Sequence, residues 1–361
     1  MNIRSIELKN FRNYENLEIS FDEGTNILFG DNAQGKTNIL EAAYMSGTTK
    51  SHKGSRDRVI RFGEEEAHLK TVVVRGGREY QIDMHLKKNR AKGIAIDKIP
   101  IKKASELFGI LNIVFFSPED LNIIKNGPVE RRRFLDSELC QLDRIYLADL
   151  TNYNKILAQR NKLLKDMIYR PSLSDTLPVW DMQLIETGKK IIRRRKQFVD
   201  ELREIVSDIH YRISGGKEEL FLKYEPNIDD IFFEDELSRA KEKDKKLCQT
   251  SVGPHRDDLL FSIGDVDIRK YGSQGQQRTS ALSLKLSEIE LVRKSISDTP
   301  VLLLDDVLSE LDSSRQNYLL NNISDTQTII TCTGLDEFVR NRFTVNRVFE
   351  VIAGHVYERS I

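Results

Sequence analysis

The sequence predicts an α/β protein. Mixed sheets surround a nucleotide-binding loop, and an inserted α-helical arm lobe contains a long antiparallel helix pair. Three observations predict this. Gly30-Asp31-Asn32-Ala33-Gln34-Gly35-Lys36-Thr37 matches G-x-x-x-x-G-K-[ST] between an apolar strand-like run, 26–29, and a helix-like run, 38–44. Val301-Leu302-Leu303-Leu304 reads as a buried strand that ends in Asp305-Asp306. Between them, over about 138–213, apolar residues recur at spacings of three, four or seven, as in paired amphipathic helices.

The loop carries the first chemistry. Two glycines let backbone N–H groups turn inward around an anion, and the helix N-terminus adds partial positive charge. Residues 30–37 are therefore expected to bind ATP, with Lys36 reaching the β- and γ-phosphates and Thr37 holding Mg²⁺. Asp305 would hold Mg²⁺ through water, and Asp306 would orient the attacking water.

Composition bounds the rest. The chain has 361 residues, enough for two domains or one with a large insertion, and a formal net charge of zero. The zero sum removes the usual pointer to nucleic acid but leaves local basic patches open. No apolar run is long enough to span a membrane and the start lacks an apolar signal core. Cys140, Cys248 and Cys332 have no paired spacing, so a reducing cytoplasm is expected, without zinc or disulfides.

Taken in order, residues 3–9 and 17–21 alternate as antiparallel strands around a turn at 10–14. Arg12 and Tyr14 either cover a nucleotide base or are a solvated arginine and a half-buried tyrosine. The polar stretch 48–58 is a solvated loop or a phosphate contact. Strands at 67–74 and 80–86 flank Gly76-Gly77, and 87–92 is a basic tip. The run 111–116 suits a central strand, with Ser117 as N-cap and Pro118 in the first turn of a helix. Of Arg131, Arg132 and Arg133, one or two should pair with local acids. In the helix pair the core stripes are Leu142, Tyr146, Leu150, Tyr153, Leu157 and Leu164, then Met182, Ile185, Ile192, Val199, Leu202, Val206 and Ile209. Arg193-Arg194-Arg195-Lys196 is a solvated face or a DNA-facing patch. Residues 221–224 form a short strand, 234–247 an exposed helix, and 259–263 with 266–270 a hairpin. A helix then runs to about 294, and strands follow at 327–333, 349–352 and 356–357. Boundaries are expected at 1–127 and 247–361 for the nucleotide-binding part and 128–246 for the arm lobe.

Three stretches stand together: the phosphate loop, Ser273-Gln274-Gly275-Gln276-Gln277, and Asp305-Asp306 with Ser309-Glu310-Leu311-Asp312. Their order resembles ATPases of the ABC class, in the chromosome-associated branch with SMC proteins. The resemblance implies an ABC-type head in which Ser273, Gly275 and Gln276, at a helix N-terminus, meet the γ-phosphate held by a second copy. It also implies an ATP-dependent homodimer. The second acid is Asp306 where most relatives use Glu, which implies slow turnover. Ser117 or Glu119 stands where a Mg²⁺-sensing glutamine is usual, and Thr331 and Thr333 stand near the place of a switch histidine.

The chain further resembles the RecF family of bacterial DNA repair proteins. The resemblance rests on Asn10-Phe11-Arg12-Asn13-Tyr14, Gly35-Lys36-Thr37-Asn38-Ile39-Leu40-Glu41-Ala42, Phe116-Ser117-Pro118-Glu119-Asp120-Leu121, Arg132-Arg133-Phe134-Leu135-Asp136, Gly253-Pro254-His255-Arg256-Asp257-Asp258-Leu259 and Gly275-Gln276-Gln277-Arg278. It implies an ATP-dependent DNA-binding protein and weak ATPase that works with RecO and RecR, loads a strand-exchange protein at gaps, and supports replication restart and the SOS response. A membrane-transporter ATPase, an ATP-driven nuclease and a scaffold that binds ATP without useful hydrolysis are the competing readings.

Overall fold

Alternation and one bulge set the first sheet. β1 (Asn2–Phe11) shifts register between Ile3 and Ser5, so Ile3 and Ile6 both point inward despite their three-residue spacing. Phe11 pairs with Tyr14 of β2 (Tyr14–Ser20), which shortens the expected five-residue turn to Arg12-Asn13. β3 (Thr25–Phe29) leads through the loop into α1 (Lys36–Thr48). β4 (Glu66–Arg75), β5 (Arg78–Lys87), β6 (Gly93–Ile96) and β7 (Ile99–Pro100) complete an antiparallel sheet of order β2-β1-β4-β5-β6-β7. β8 (Ile113–Phe116) is buried throughout, but it is the edge strand of its sheet and not the central strand expected; an apolar run reports burial and not position in the sheet. The structure is a computed structural model that describes residues 1–52, 56–323, 325–335 and 344–360, and the side chains of all of these but 56, 57, 104 and 310. Part of the polar stretch 48–58, at 53–55, thus lies outside the described residues.

The chain divides into two units, Met1–Asp120 with Glu288–Ile361, and Leu121–Ser287. The second begins with α2 (Leu121–Lys125) and α3 (Pro128–Leu142). Ser117 stands at the N-cap position expected, with Pro118 in the first turn, but that turn, Pro118–Asp120, is 3-10, and the bond there runs from the Ser117 N–H to Asp120 Oδ2. α4 (Arg144–Asp166) is capped by Asp143, whose carboxylate accepts from the N–H groups of Ile145 and Tyr146. α5 (Leu177–Ile213) is 37 residues long and runs antiparallel to α4. Arg160, late in α4, meets Asp181, early in α5, while Asp143 meets Arg194.

The pair's core stripe differs in part from expectation. Met182 is 65% exposed and Leu150, Leu157 and Ile185 are half-buried, while Ile156, Arg160, Leu184 and Gly188 face inward. Gly188 permits the approach of Phe233, whose Cε1 would lie 2.4 Å from a Cβ there. β9 (Leu220–Glu225) follows, then α6 (Phe233–Arg239) and α7 (Lys241–Leu247), so the expected helix at 234–247 breaks at Ala240. β10 (Asp258–Ile263) pairs with β9 and with β11 (Val266–Asp267). The expected strand at 266–270 stops early, because Asp267 caps the short α8 (Ile268–Tyr271). Residues 247–287 belong to the second unit by this division, where the sequence set a boundary at 246, and β9 and β10 pair across that boundary.

α9 (Gln274–Ile296) returns the chain to the first unit. β12 (Val301–Asp305), α10 (Ser313–Asn322), β13 (Thr328–Cys332), β14 (Val345–Ile352) and β15 (His355–Arg359) follow. The second six-stranded sheet has the order β15-β14-β3-β13-β12-β8, parallel except for β15. α1 packs against β1 and β4 of one sheet and β8, β12 and β13 of the other. It is therefore buried on most faces, Ile39, Leu40, Ala42, Ala43 and Met45 joining the core between Ile6, Leu69, Leu303 and Ile329.

Candidate nucleotide-binding site

Sheet register builds the site. Leu28 of β3 pairs with Thr331 of β13, and Thr331 pairs with Asp305 of β12. The loop and the carboxylates therefore leave the same edge of the parallel sheet with one strand between them. Gly30 (φ 145°) and Gly35 (φ 119°) hold conformations that favour glycine. A Cβ at Gly30 would come within 2.4 Å of the Val351 carbonyl, and one at Gly35 within 2.6 Å of Asn13 Nδ2.

The loop is gripped from outside. Tyr14 is fully buried, and its hydroxyl donates to the Gly35 carbonyl at 3.1 Å. Burial pushes that phenol above its ordinary range, so it stays a donor. Asn13 Nδ2 donates to Gln34 O at 2.9 Å, and the β14–β15 turn adds N–H bonds from Gly354 to Gln34 O and from Ala353 to Gln34 Oε1. Asp31, Asn32 and Ala33 stay exposed at the apex, Ala33 with φ 64°. Lys36 is 4% exposed, and its Nζ donates to Gly30 O at 2.6 Å and to Asp31 O at 2.8 Å.

Thr37 and the strand-end acids meet. Thr37 Oγ1 and Thr331 Oγ1 each donate to Asp305 Oδ1 at 2.8 Å. Thr331 Oγ1 in turn accepts the Asp306 N–H at 3.1 Å. Asp306 has φ 54°, an uncommon conformation that aspartate tolerates better than most residues. Thr331 is thus a brace for Asp305, a role that spacing did not show. Thr333 has no such contact among the described bonds.

Arg12 is not the solvated residue that one reading expected. Its Nε and Nη2 donate to Glu41 at 2.7 and 2.6 Å, and Nη1 donates to Arg58 O. Ser51 Oγ donates to the same carboxylate. Burial pushes Glu41 up, but the bonds from Arg12 and Ser51 and the charge of Arg12 outweigh it, leaving the carboxyl below its ordinary value. The Arg12–Glu41 tie was missed in the sequence. Both residues lie in stretches that carry the RecF resemblance, but nothing in their spacing pairs them.

Ser273, Gly275 and Gln276 lie in the second unit, at the start of α9, which begins at Gln274. Ser273 and Gln276 form a capping box. The Gln276 N–H donates to Ser273 Oγ at 3.2 Å, and the Ser273 N–H donates to Gln276 Oε1 at 2.9 Å. Gly275 is exposed beside them.

A family profile described as RecF/RecN/SMC N terminal domain matches residues 2–355. A DNA replication and repair protein RecF from Agathobacter rectalis is 74% identical over 357 residues, 99% of each chain. The chain belongs to the RecF family of DNA replication and repair proteins. A solved structure of the recombination mediator protein RecF with ATP, in the RecFOR pathway, superposes with a TM-score of 0.92 at 35% identity over 99% of this chain and 97% of that one. The head of Smc from Pyrococcus furiosus, solved with the C-terminal domain of ScpA, shares the fold with a TM-score of 0.57 at 17% identity over 99% and 96% of the chains. The ABC-type ATPase head expected from the motifs is therefore the fold of the family.

The remaining RecF stretches build the arm lobe's polar core. Arg195 is 2% exposed and bonds Asp136, Asp257, Tyr146 Oη and the Pro254 carbonyl. Arg131 grips Asp258 through two nitrogens, and Arg160 bonds Asp181, Asp244 and Thr250. Neither basic run is one surface. Arg131 is buried on a distant acid, Arg132 donates to Asp257 O, and Arg133 pairs with its neighbour Glu130. Arg193 pairs with Asp230 and Arg194 with Asp143, while Arg195 is core and Lys196 exposed.

Proposed function

We propose that the chain is an ATP-switched DNA-binding protein of recombinational DNA repair and replication restart. ATP closes two copies into a homodimer that clamps single-stranded, gapped or duplex DNA, and slow hydrolysis releases it. The carrying observation is the meeting of Thr37, Asp305 and Thr331. It sets two hard oxygen donors, of the kind Mg²⁺ takes, beside a glycine loop and its lysine. This donor set fits MgATP, and the likeness to the ATP-bound RecF supports the fit.

The residue roles follow from that fit. Backbone N–H groups of Gly30, Asp31, Asn32, Ala33, Gln34 and Gly35 bind phosphate, and Lys36 binds the β- and γ-phosphates. Thr37 holds Mg²⁺, with Asp305 acting through water. Bound MgATP supplies the phosphoanhydride whose cleavage reopens the dimer. Asp306 orients the attacking water, and its short side chain makes turnover slow. Arg12, with three of its five N–H groups engaged by Glu41 and Arg58, covers the nucleotide base with what remains of its guanidinium. Ser273, Gly275 and Gln276 meet the γ-phosphate of the other copy.

RecO- and RecR-type mediators are the expected partners, as the RecFOR pathway of the similar structure supports. Cytoplasmic location, help in loading the strand-exchange protein and support of the SOS response complete the reading. No helix of the described residues is long and apolar enough to cross a membrane. Among the described residues no group of three or more His, Cys, Asp or Glu is placed to hold a metal.

The test is sedimentation and DNA binding with ATP, with ADP and without nucleotide, on gapped, duplex and single-stranded DNA. An ATP-specific dimer with raised DNA affinity is expected. Affinity indifferent to ATP, with no ATP-induced dimer, would sink the reading. Asp306→Asn should trap the dimer on ATP, whereas a scaffold would not change.

A further inference from the structure

The capping box around Ser273 does not stand alone. Gln276 Nε2 donates to Glu218 Oε1 at 2.8 Å. The other Glu218 oxygen lies 3.6 Å from Nε2 of His210, a fully buried residue in the last turn of α5. His210 Nδ1 is 3.1 Å from Ser283 Oγ, on the buried face of α9 two turns beyond the box. Glu218 is also tied by its backbone. Its N–H donates to Ser214 Oγ, and that hydroxyl reaches the Glu218 carbonyl, just after α5 ends. Gly215 (φ 69°) and Gly216 (φ 77°) make the reversal between them.

We propose that Glu218 is a positioning residue for the signature serine: it fixes the Gln276 side chain in the capping box and thereby sets the Ser273 hydroxyl. The reasoning is local. Ser273 is exposed, and an exposed serine rotates freely unless its oxygen is engaged. The Gln276 backbone N–H engages that oxygen, and the Gln276 amide, closing the box from the other side, holds the Ser273 backbone in the geometry that bond needs. A glutamine on a helix surface has several rotamers, and a charge-assisted bond to Glu218 selects one of them. Because Glu218 is pinned to the end of α5 by Ser214 and backed by His210, the orientation of Ser273 depends on the end of the arm helix. A change in that end reaches the signature through one carboxylate.

This inference rests on the reading that Ser273 meets ATP in a closed dimer. Its test uses the full chain and two substitutions. Sedimentation across an ATP titration measures dimer closure, and a fluorescent ATP analogue measures nucleotide binding by the monomer. Glu218→Ala should raise the ATP concentration needed for closure about tenfold, as expected for losing a charge-assisted bond, and leave monomer binding unchanged. Glu218→Gln retains a carbonyl oxygen that accepts from Gln276 Nε2 and should restore most of the closure. Wild type that closes on ATP beside a Glu218→Ala variant that closes equally well would overturn the positioning role alone. So would a Glu218→Gln variant as impaired as Glu218→Ala. Wild type that never closes on ATP would overturn the dimer reading and this inference with it.

Discussion

The phosphate loop and the polar core of the arm lobe use buried polar groups in opposite ways. The loop takes its shape from eight consecutive residues, and neighbours grip it mostly through backbone carbonyls, Asn13 at Gln34 O and Tyr14 at Gly35 O. The arm core instead joins side chains remote in sequence: Arg131 with Asp258 across 127 positions, Arg195 with Asp257 across 62 and Arg160 with Asp244 across 84. The difference teaches where each region fails. A substitution in the loop removes a proposed ligand contact and leaves few charges stranded. One in the arm core leaves a buried carboxylate without its cation.

The largest expected effect breaks the comparison outright if it is absent. Arg195→Ala strands Asp136 and Asp257 and should cost about 3–5 kcal/mol in denaturant unfolding. Lys36→Ala should abolish ATP-induced closure while costing only about 1–2 kcal/mol, since it removes two bonds to carbonyls and strands no opposite charge. Equal losses for the two variants would erase the distinction.

The next effect is a pH dependence confined to the arm. His255 bonds Tyr153 Oη through Nδ1 and lies 3.1 Å from Thr250 O through Nε2. Burial lowers its pKa from 6.5 to about 4. The folded state therefore holds the ring neutral while the unfolded chain takes up a proton below 6.5. Stability should be full above pH 6.5 and fall by about 3 kcal/mol as pH drops toward 4. His255→Gln should flatten unfolding free energy across that window, and a slope that persists would assign it to another group.

A smaller loss tests the brace in the first unit. Thr331→Val keeps the shape but leaves Asp305 with one hydroxyl donor fewer and the Asp306 N–H without its acceptor, at a cost of about 1–3 kcal/mol. Mg²⁺-dependent hydrolysis should fall more than nucleotide binding without Mg²⁺, and equal falls in both would count against the brace. The smallest effect is on the surface. Arg193→Ala removes an exposed pair with Asp230 and should stay within about 0.5 kcal/mol.

Legibility followed the same division. The phosphate loop, the apolar strand before Asp305 and the long helices were readable because each is a contiguous pattern with its own period. The two-residue turn at Arg12-Asn13, the break at Ala240 and the capping box at Ser273 shifted element ends by a few residues, where capping and turn chemistry compete with periodicity. The stripe of α4 and α5 departs in part from the expected one, and Arg160 takes a core position that hydrophobicity alone does not give to an arginine. Asp181, Asp244 and Thr250, remote from it in sequence, offset the cost of that burial.

By itself the sequence determined the nucleotide loop, the strand-end acids, the arm's helical character and the family. The first three depend on residues close in the chain, whose backbone geometry and period follow from local chemistry, and the family on several such stretches taken together. Tertiary structure alone decided that Thr331 braces Asp305, that Arg12 locks onto Glu41, that Arg195 is core while Arg193 is surface, and that Glu218 reaches Gln276. Each is a contact between side chains on separate elements. Sheet register and helix packing choose such partners, and neither is written in the spacing of the residues they join.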